Sequence, residues 1–293
     1  MRLLHKTIAL QTTESMYMQI CRHEASYLAY LNMLHNNRLN LFHKTTQEIA
    51  AQSKWNNSYA FMLCGSSALN TMGIISDIDY FFIVADKNDI ANIAVINKAL
   101  SQSFTGLDVA QNLAKLFNQG KEAIFSEAVL SEQVPGYFTN DEIFRNSFYC
   151  GSIVASDELF AANLSEKREL LWKEMRSNYS LKELLAFSYQ KSRGVGNQKY
   201  ISGNLMAKVR LIKFMHKMEH CVFSQEKQQR INDISMTLLR LRDYLYFSNG
   251  CKDLNFSAKE LLRYGLFLNI NKLDVYFLEA NDFLDHIIKR VMG

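Results

Sequence analysis

Residues 63–84 read Leu63-Cys-Gly-Ser-Ser-Ala-Leu-Asn-Thr-Met-Gly-Ile-Ile-Ser-Asp-Ile-Asp-Tyr-Phe-Phe-Ile-Val84, and this stretch decides the reading of the chain. Aspartate is disfavoured inside strands, yet Asp77 and Asp79 interrupt an apolar run that ends in Tyr80-Phe-Phe-Ile-Val84. In a strand, alternate side chains share a face, so positions 77 and 79 point one way while Ile78 and Tyr80 point the other. Two carboxylates on one face repel each other and resist desolvation unless a cation neutralises them. Mg2+, or Mn2+ in its place, accepts one or two carboxylates together with phosphate oxygens. Gly65 and Ser66 supply the complementary half. A glycine after a strand lets main-chain N–H groups approach a phosphate closely, the following helix offers its positive end, and Ser66 and Ser67 add hydroxyls. An anion cradle and a metal-binding acidic pair one strand apart describe a site for a nucleoside triphosphate.

Outward from this motif, Tyr59–Cys64 and Ile78–Val84 are expected as buried strands, Asp86 opens a helix, and Thr105–Val109 forms a further short strand before a helix through Phe117. The run Ala123–Leu130 reads as a helix with Glu127 on its solvated face, the weaker reading of Glu127 being a third carboxylate of the site. Upstream, residues 13–52 read as two helices broken at Asn36-Asn37-Arg38. From about residue 141 the pattern is helical nearly to the end, in segments near 141–162, 166–177, 180–192, 203–222, 226–247, 257–267 and 271–291, with breaks at Gly194/Gly196, Gly203 and Ser248-Asn249-Gly250. The expected fold class is α+β: N-terminal helices over 1–56, a small mixed-sheet unit over 57–165 and a larger all-α domain over 166–293.

Composition sets the outer bounds. Among 293 residues there are one proline and 12 glycines, which disfavours a loop-rich sandwich or a collagen-like repeat and favours helix. Hydrophobic residues make up 48% of the chain, enough to bury a full core. The net charge of +4 is too small to indicate nucleic acid as a partner. The five cysteines form no C-x-x-C pair, and no 18-residue apolar run occurs, so a reducing cytoplasm and no membrane are expected.

The Gly-Ser turn followed by Ser76-Asp77-Ile78-Asp79 resembles the signature of the DNA polymerase β-type nucleotidyltransferase superfamily. The spacing is most similar to the branch holding the PII-protein uridylyltransferase and the glutamine synthetase adenylyltransferase. Their Gly-Gly-x-Gly-Arg-Gly-Glu segment corresponds here to Gly65–Thr71, where the first glycine stands, Leu69 replaces the arginine and Asn70 a later glycine. Ser152–Phe160 resembles a family helix ending in Ala/Gly-Asp. Lys199-Tyr-Ile-Ser-Gly203-Asn-Leu205 is similar to a motif that opens a helix in the attached helical domain, and Leu241-Arg-Asp-Tyr-Leu245 to the last helical region.

The resemblance implies a Mg2+-dependent nucleotidyltransferase that uses a nucleoside triphosphate and a protein acceptor, most often a tyrosine hydroxyl. Asp77 and Asp79 would hold metal, Gly65, Ser66 and Ser67 would cradle phosphate, and Lys199 with Gly203 would close over the triphosphate. Asp108 is the candidate third catalytic carboxylate, its other reading being a helix N-cap. Lys199 also reads as an exposed loop lysine, and His216 with His220 as a solvent-facing helical pair rather than a zinc site. Two other functions remain open: transfer to RNA or a small molecule, as in toxin-like relatives, and a nucleotide-binding regulatory module without turnover.

Overall fold

The computed structural model describes residues 16–52, 58–63, 65–74, 76, 80–84, 124–126, 149–155, 158–193, 201–219, 221–249 and 264–292. Most of these are helical, with four short strands. Among the described residues no helix is long and apolar enough to cross a membrane. The chain divides into two compact units, one of Met1–His35, Gly73–Ile75 and Ser188–Gly293, the other of Asn36–Met72 and Ser76–Phe187. The division falls inside α1 (Glu24–Gln52) and inside α5 (Ala186–Arg193).

The second unit holds the sheet: β1 (Tyr59–Leu63), β2 (Tyr80–Val84), β3 (Ile124–Ser126) and β4 (Ser152–Ala155), in the order β3-β2-β1-β4. Strand β1 pairs antiparallel with both β2 and β4, whereas β2 and β3 run parallel. Ala60 and Ile83, directly opposite each other in the β1–β2 ladder, are fully buried. The long helix α3 (Glu158–Asn178) packs against β1 and β4. Its Trp172 meets the buried Tyr149 edge-on, with ring centroids 4.9 Å apart. A short helix α2 (Gly65–Ala68) leaves β1, and α4 (Leu181–Leu184) starts on a Ser180–Glu183 capping box.

The first unit holds helices and no strand among its described residues. Residues 16–22 are helical, and α6 (Ile201–Met218), α7 (Gln225–Asn249), residues 264–268 and α8 (Leu273–Met292) follow. Helix α8 buries Leu273, Phe277, Ala280, Leu284 and Ile287, a stripe with steps of three and four that faces one side. Helix α6 packs on both α7 and α8. Helix α7 contributes Ile231, Ile234, Leu238, Leu241 and Leu245 to the core and also buries Arg240 and Asp243.

Four expectations are corrected. The N-terminal break lies at His23, not at Asn36-Asn37-Arg38, which α1 runs through without interruption. Asparagine and arginine cost a helix only a few tenths of a kcal/mol each (roughly 0.2–0.7 relative to alanine), too little to end one. Residues 152–155 form β4 rather than part of a helix. A Ser-Ile-Val-Ala run is too short for periodicity to separate strand from buried helix, and pairing with β1 decides it. The same holds for Ile124–Ser126, which is strand β3, not helix, while Glu127 lies outside the described residues. Gly203 is not a break but sits in the first turn of α6, where its amide has no intrahelical partner to lose. The helix from Asp86, the strand at Thr105–Val109 and the helix through Phe117 lie outside the described residues.

Candidate functional site

The register of the sheet sets the end of β1 and the start of β2 side by side. Leu63, the last residue of β1, pairs with Tyr80, the first of β2, and with Ser152, the first of β4. Because β3 runs parallel to β2, the three strands β2, β3 and β4 all start at the end where β1 finishes. Gly65 follows β1 by two residues in the chain, and Asp79 precedes β2 by one.

Gly65 has φ 56°, a left-handed conformation that glycine adopts without a Cβ penalty, and it opens α2 directly after the strand. Asn70, at the position of a later glycine in the resembled segment, also lies in the left-handed region at φ 51°. Asparagine is among the side chains that best tolerate this region, so the turn keeps its shape without the glycine. Ser66 is only 6% exposed, and its carbonyl accepts from the Thr71 amide at 2.9 Å and from the Thr71 hydroxyl at 3.5 Å. The α2 turn is thus closed on itself by Thr71, and the segment beyond it is buried at Met72, Ile74 and Ser76.

Two residues before Ser76, the Ile74 amide donates to Oδ2 of Asp243 on α7 at 2.5 Å. Asp243 is fully buried and also accepts from the Tyr27 hydroxyl at 2.5 Å, while Arg242 lies 3.3 Å from its other oxygen. Burial, reinforced by the Asp243 charge, pushes the Tyr27 phenol well above its ordinary range, so it remains a donor at neutral pH. Gly73 makes this approach possible: a Cβ there would stand 2.5 Å from Asp243 Oδ2 and 2.5 Å from an Arg242 nitrogen. Asp243 lies in Leu241-Arg-Asp-Tyr-Leu245, and a bond to a main-chain amide 169 residues away leaves no signal in the local sequence.

A second group missed at the sequence level is Arg168 on α3. Its guanidinium donates to the carbonyl of Gly151 at 2.5 Å, immediately before β4 and so at the same end of the sheet. Burial draws its pKa below the ordinary arginine value. Nothing in the spacing of α3 distinguishes it from the other basic residues of that helix.

The remaining sequence candidates fall as follows. Asp77, Asp79, Asp108 and Lys199 lie outside the described residues. Ser67 belongs to α2, its side chain outside the description, and Gly203 to the start of α6. His216 is engaged: its Nδ1 lies 2.6 Å from the Cys221 carbonyl, which can only accept, so that nitrogen carries the proton. Its ring packs on Phe223 at 5.5 Å, and His220 lies outside the described residues. No group of three or more His, Cys, Asp or Glu side chains suited to a metal is found among the described residues.

The sequence before β2, Ser76-Asp77-Ile78-Asp79, carries two carboxylates and a hydroxyl, oxygen donors of the kind a hard divalent cation takes, and the turn leaving β1 at that end of the sheet is built on a left-handed glycine. No protein-family model matches the chain, and no curated protein matches it either.

Proposed function

We propose that the chain is a Mg2+-dependent nucleotidyltransferase that moves a nucleoside monophosphate from a triphosphate to an acceptor hydroxyl on a protein. The observation that carries the reading is the pairing of Leu63 with Tyr80, which sets the Gly65-Ser66 turn and the entry to β2 at one end of the sheet. Asp77 and Asp79, just before β2, would hold Mg2+ or Mn2+. The metal supplies charge neutralisation at the transferred phosphorus and its leaving oxygens. Gly65 brings main-chain N–H groups towards the triphosphate. Catalysis then rests on positioning and electrostatics rather than on covalent chemistry by the protein.

The test is transfer of label. The protein is incubated with each of the four α-labelled triphosphates, Mg2+ or Mn2+, and a cell lysate, beside Asp77→Asn and Asp79→Asn. The expected result is metal-dependent label on a protein band, lost by at least a hundredfold in both variants. Label on RNA or a small molecule moves the acceptor to the other class. Transfer that persists in both variants sinks the site, and metal-dependent nucleotide binding without transfer identifies a regulatory module.

A further inference from the structure

We infer that Gly73 and Ile74, in the connection between α2 and β2, form a strap locked into the helical unit, one that opens only when α7 itself unpacks. The inference goes beyond the reaction proposed above and does not rest on it. Its basis is what holds the segment. The Ile74 amide donates to Oδ2 of Asp243 at 2.5 Å, and both residues are fully buried. The same oxygen accepts from the Tyr27 hydroxyl, and Arg242 stands 3.3 Å from the other oxygen. A Cβ at position 73 would stand 2.5 Å from the carboxylate, so the strap approaches α7 as closely as only a glycine allows. Gly73–Ile75 accordingly belongs to the helical unit, although Met72 and Ser76 on either side of it group with the other unit.

Loops ordinarily open locally, because few buried contacts break when they do. The strap has no such route. Lifting Ile74 alone takes a fully buried aliphatic side chain out of the core and strips Asp243 of an N–H while the carboxylate stays out of water. A buried charge that loses a hydrogen-bond partner in place is among the costlier losses a folded chain can suffer. Water relieves that loss only by reaching Asp243, and it reaches Asp243 only when α7 leaves its neighbours. Helix α7 is fixed there by Leu239, Leu241 and Leu245, all buried within four residues of Asp243. The strap and this part of α7 therefore open together. The turn before the strap is closed separately, by the Thr71–Ser66 bonds. One short connection thus has a locally closed turn followed by a strap held from 169 residues away.

The experiment is native-state hydrogen exchange on the full chain, read by nuclear magnetic resonance over urea concentrations below the unfolding transition. In the parent, the Ile74 amide is expected to exchange within about tenfold of the α7 core amides Leu239 and Leu241, and to lose protection with urea at the same slope. An Ile74 amide that exchanges more than about tenfold faster than these, at a rate that urea leaves unchanged, opens locally and overturns the inference. Asp243→Asn weakens the bond to Ile74, and Gly73→Ala wedges the strap away from the carboxylate. Each is expected to speed Ile74 exchange, relative to α7, by at least about tenfold over the parent. Tyr27→Phe leaves the Ile74 bond in place, so protection of Ile74 and of α7 should fall by the same factor. Folded Asp243→Asn and Gly73→Ala in which Ile74 still exchanges in step with α7 would show that this bond is not the lock, and the inference fails. Where those two variants do not fold, the comparison within the parent and within Tyr27→Phe decides.

Discussion

Arg240 donates through Nε to the main-chain carbonyl of Cys21 at 2.9 Å, and the first helical stretch ends there. The same guanidinium reaches the carbonyl of Arg22 at 2.6 Å and Glu24 at 3.1 Å. The carbonyls that a helix leaves unsatisfied at its C-terminus are thus met by one side chain from α7, and the chain restarts as α1 after His23. Arg240 is 4% exposed, and burial draws its pKa below the ordinary arginine value.

Replacing Arg240 by alanine is therefore expected to cost about 3 kcal/mol, since it strands main-chain acceptors in a buried setting. Arg240→Lys retains the charge but not the fork that serves two carbonyls, and should lose roughly half as much. Denaturant unfolding of both variants checks the order. Glu24→Ala should change little, because its side chain is 56% exposed and the ion pair is well solvated. A Glu24→Ala loss as large as that of Arg240→Ala would show that the ion pair, not the carbonyl bonds, holds the junction.

Lys208 links α6 to α8. Its side chain is 5% exposed, and its ammonium lies 2.6 Å from Asp285 and 2.6 Å from Asn281. Asp285→Ala leaves a buried cation with one neutral partner and should destabilise by about 2–3 kcal/mol. Lys208→Met removes the cation and leaves a half-solvated carboxylate, so it should cost less. The double variant is expected to be more stable than Asp285→Ala alone, with a coupling of at least about 1 kcal/mol. Simple additivity in the double-mutant cycle would remove the pair from the account of how these helices join.

The Ser180–Glu183 capping box offers a pH test. Both the hydroxyl and the amide of Ser180 bond to the Glu183 carboxylate, at 2.7 and 2.8 Å, and together they hold its pKa below the ordinary value. A depressed acid stabilises the folded form above its unfolded pKa, about 4.3, and loses that contribution as pH falls through the folded value. Nuclear magnetic resonance titration of the Glu183 side chain should show a midpoint below that of free glutamate. In Ser180→Ala, which removes the hydroxyl but keeps the main-chain amide, the midpoint should move part of the way back towards the ordinary value, and an unchanged midpoint would show that the hydroxyl does not hold it.

How far these features were legible in the sequence depended on the range of the interactions behind them. The α8 stripe from Leu273 to Ile287 was readable because a helix buries one face at fixed spacing, and β1 because Tyr59–Leu63 is a compact apolar run beside Gly65. The acidic pair at Asp77 and Asp79 stood out chemically, since nothing in a strand favours aspartate. The break at His23 was invisible because Arg240, which takes the Cys21 carbonyl beside it, lies 219 residues from Cys21 in the chain. Strand β4 was missed because pairing with β1 outweighs what four residues can signal. The Asp243 hold on Ile74 combines both difficulties. The carboxylate sits on a helical stripe where a charge reads as solvated, and its partner is a main-chain amide with no side-chain signature.

Lys213 on α6 provides the last test. Burial holds its ammonium down to about 8, whereas in the unfolded chain it titrates near about 10.4. Between those values the unfolded chain binds more protons than the folded one, so this residue makes stability rise with pH across that window. Below about 8 the ammonium is charged in both states and the burial penalty is present in full. The buried Cys21 thiol and Tyr27 phenol, both pushed upward by burial, run the opposite way and lower stability as pH rises. The contribution of Lys213 must therefore be read as a difference between parent and Lys213→Met. The variant is expected to be more stable than the parent at pH 7 by on the order of 2 kcal/mol, with the gap closing by pH 10. Urea unfolding of both proteins at half-unit steps from pH 7 to 10 gives the difference curve. A gap that is flat with pH would mean that the methionine helps by packing alone and that the ammonium pays no burial penalty in the folded chain.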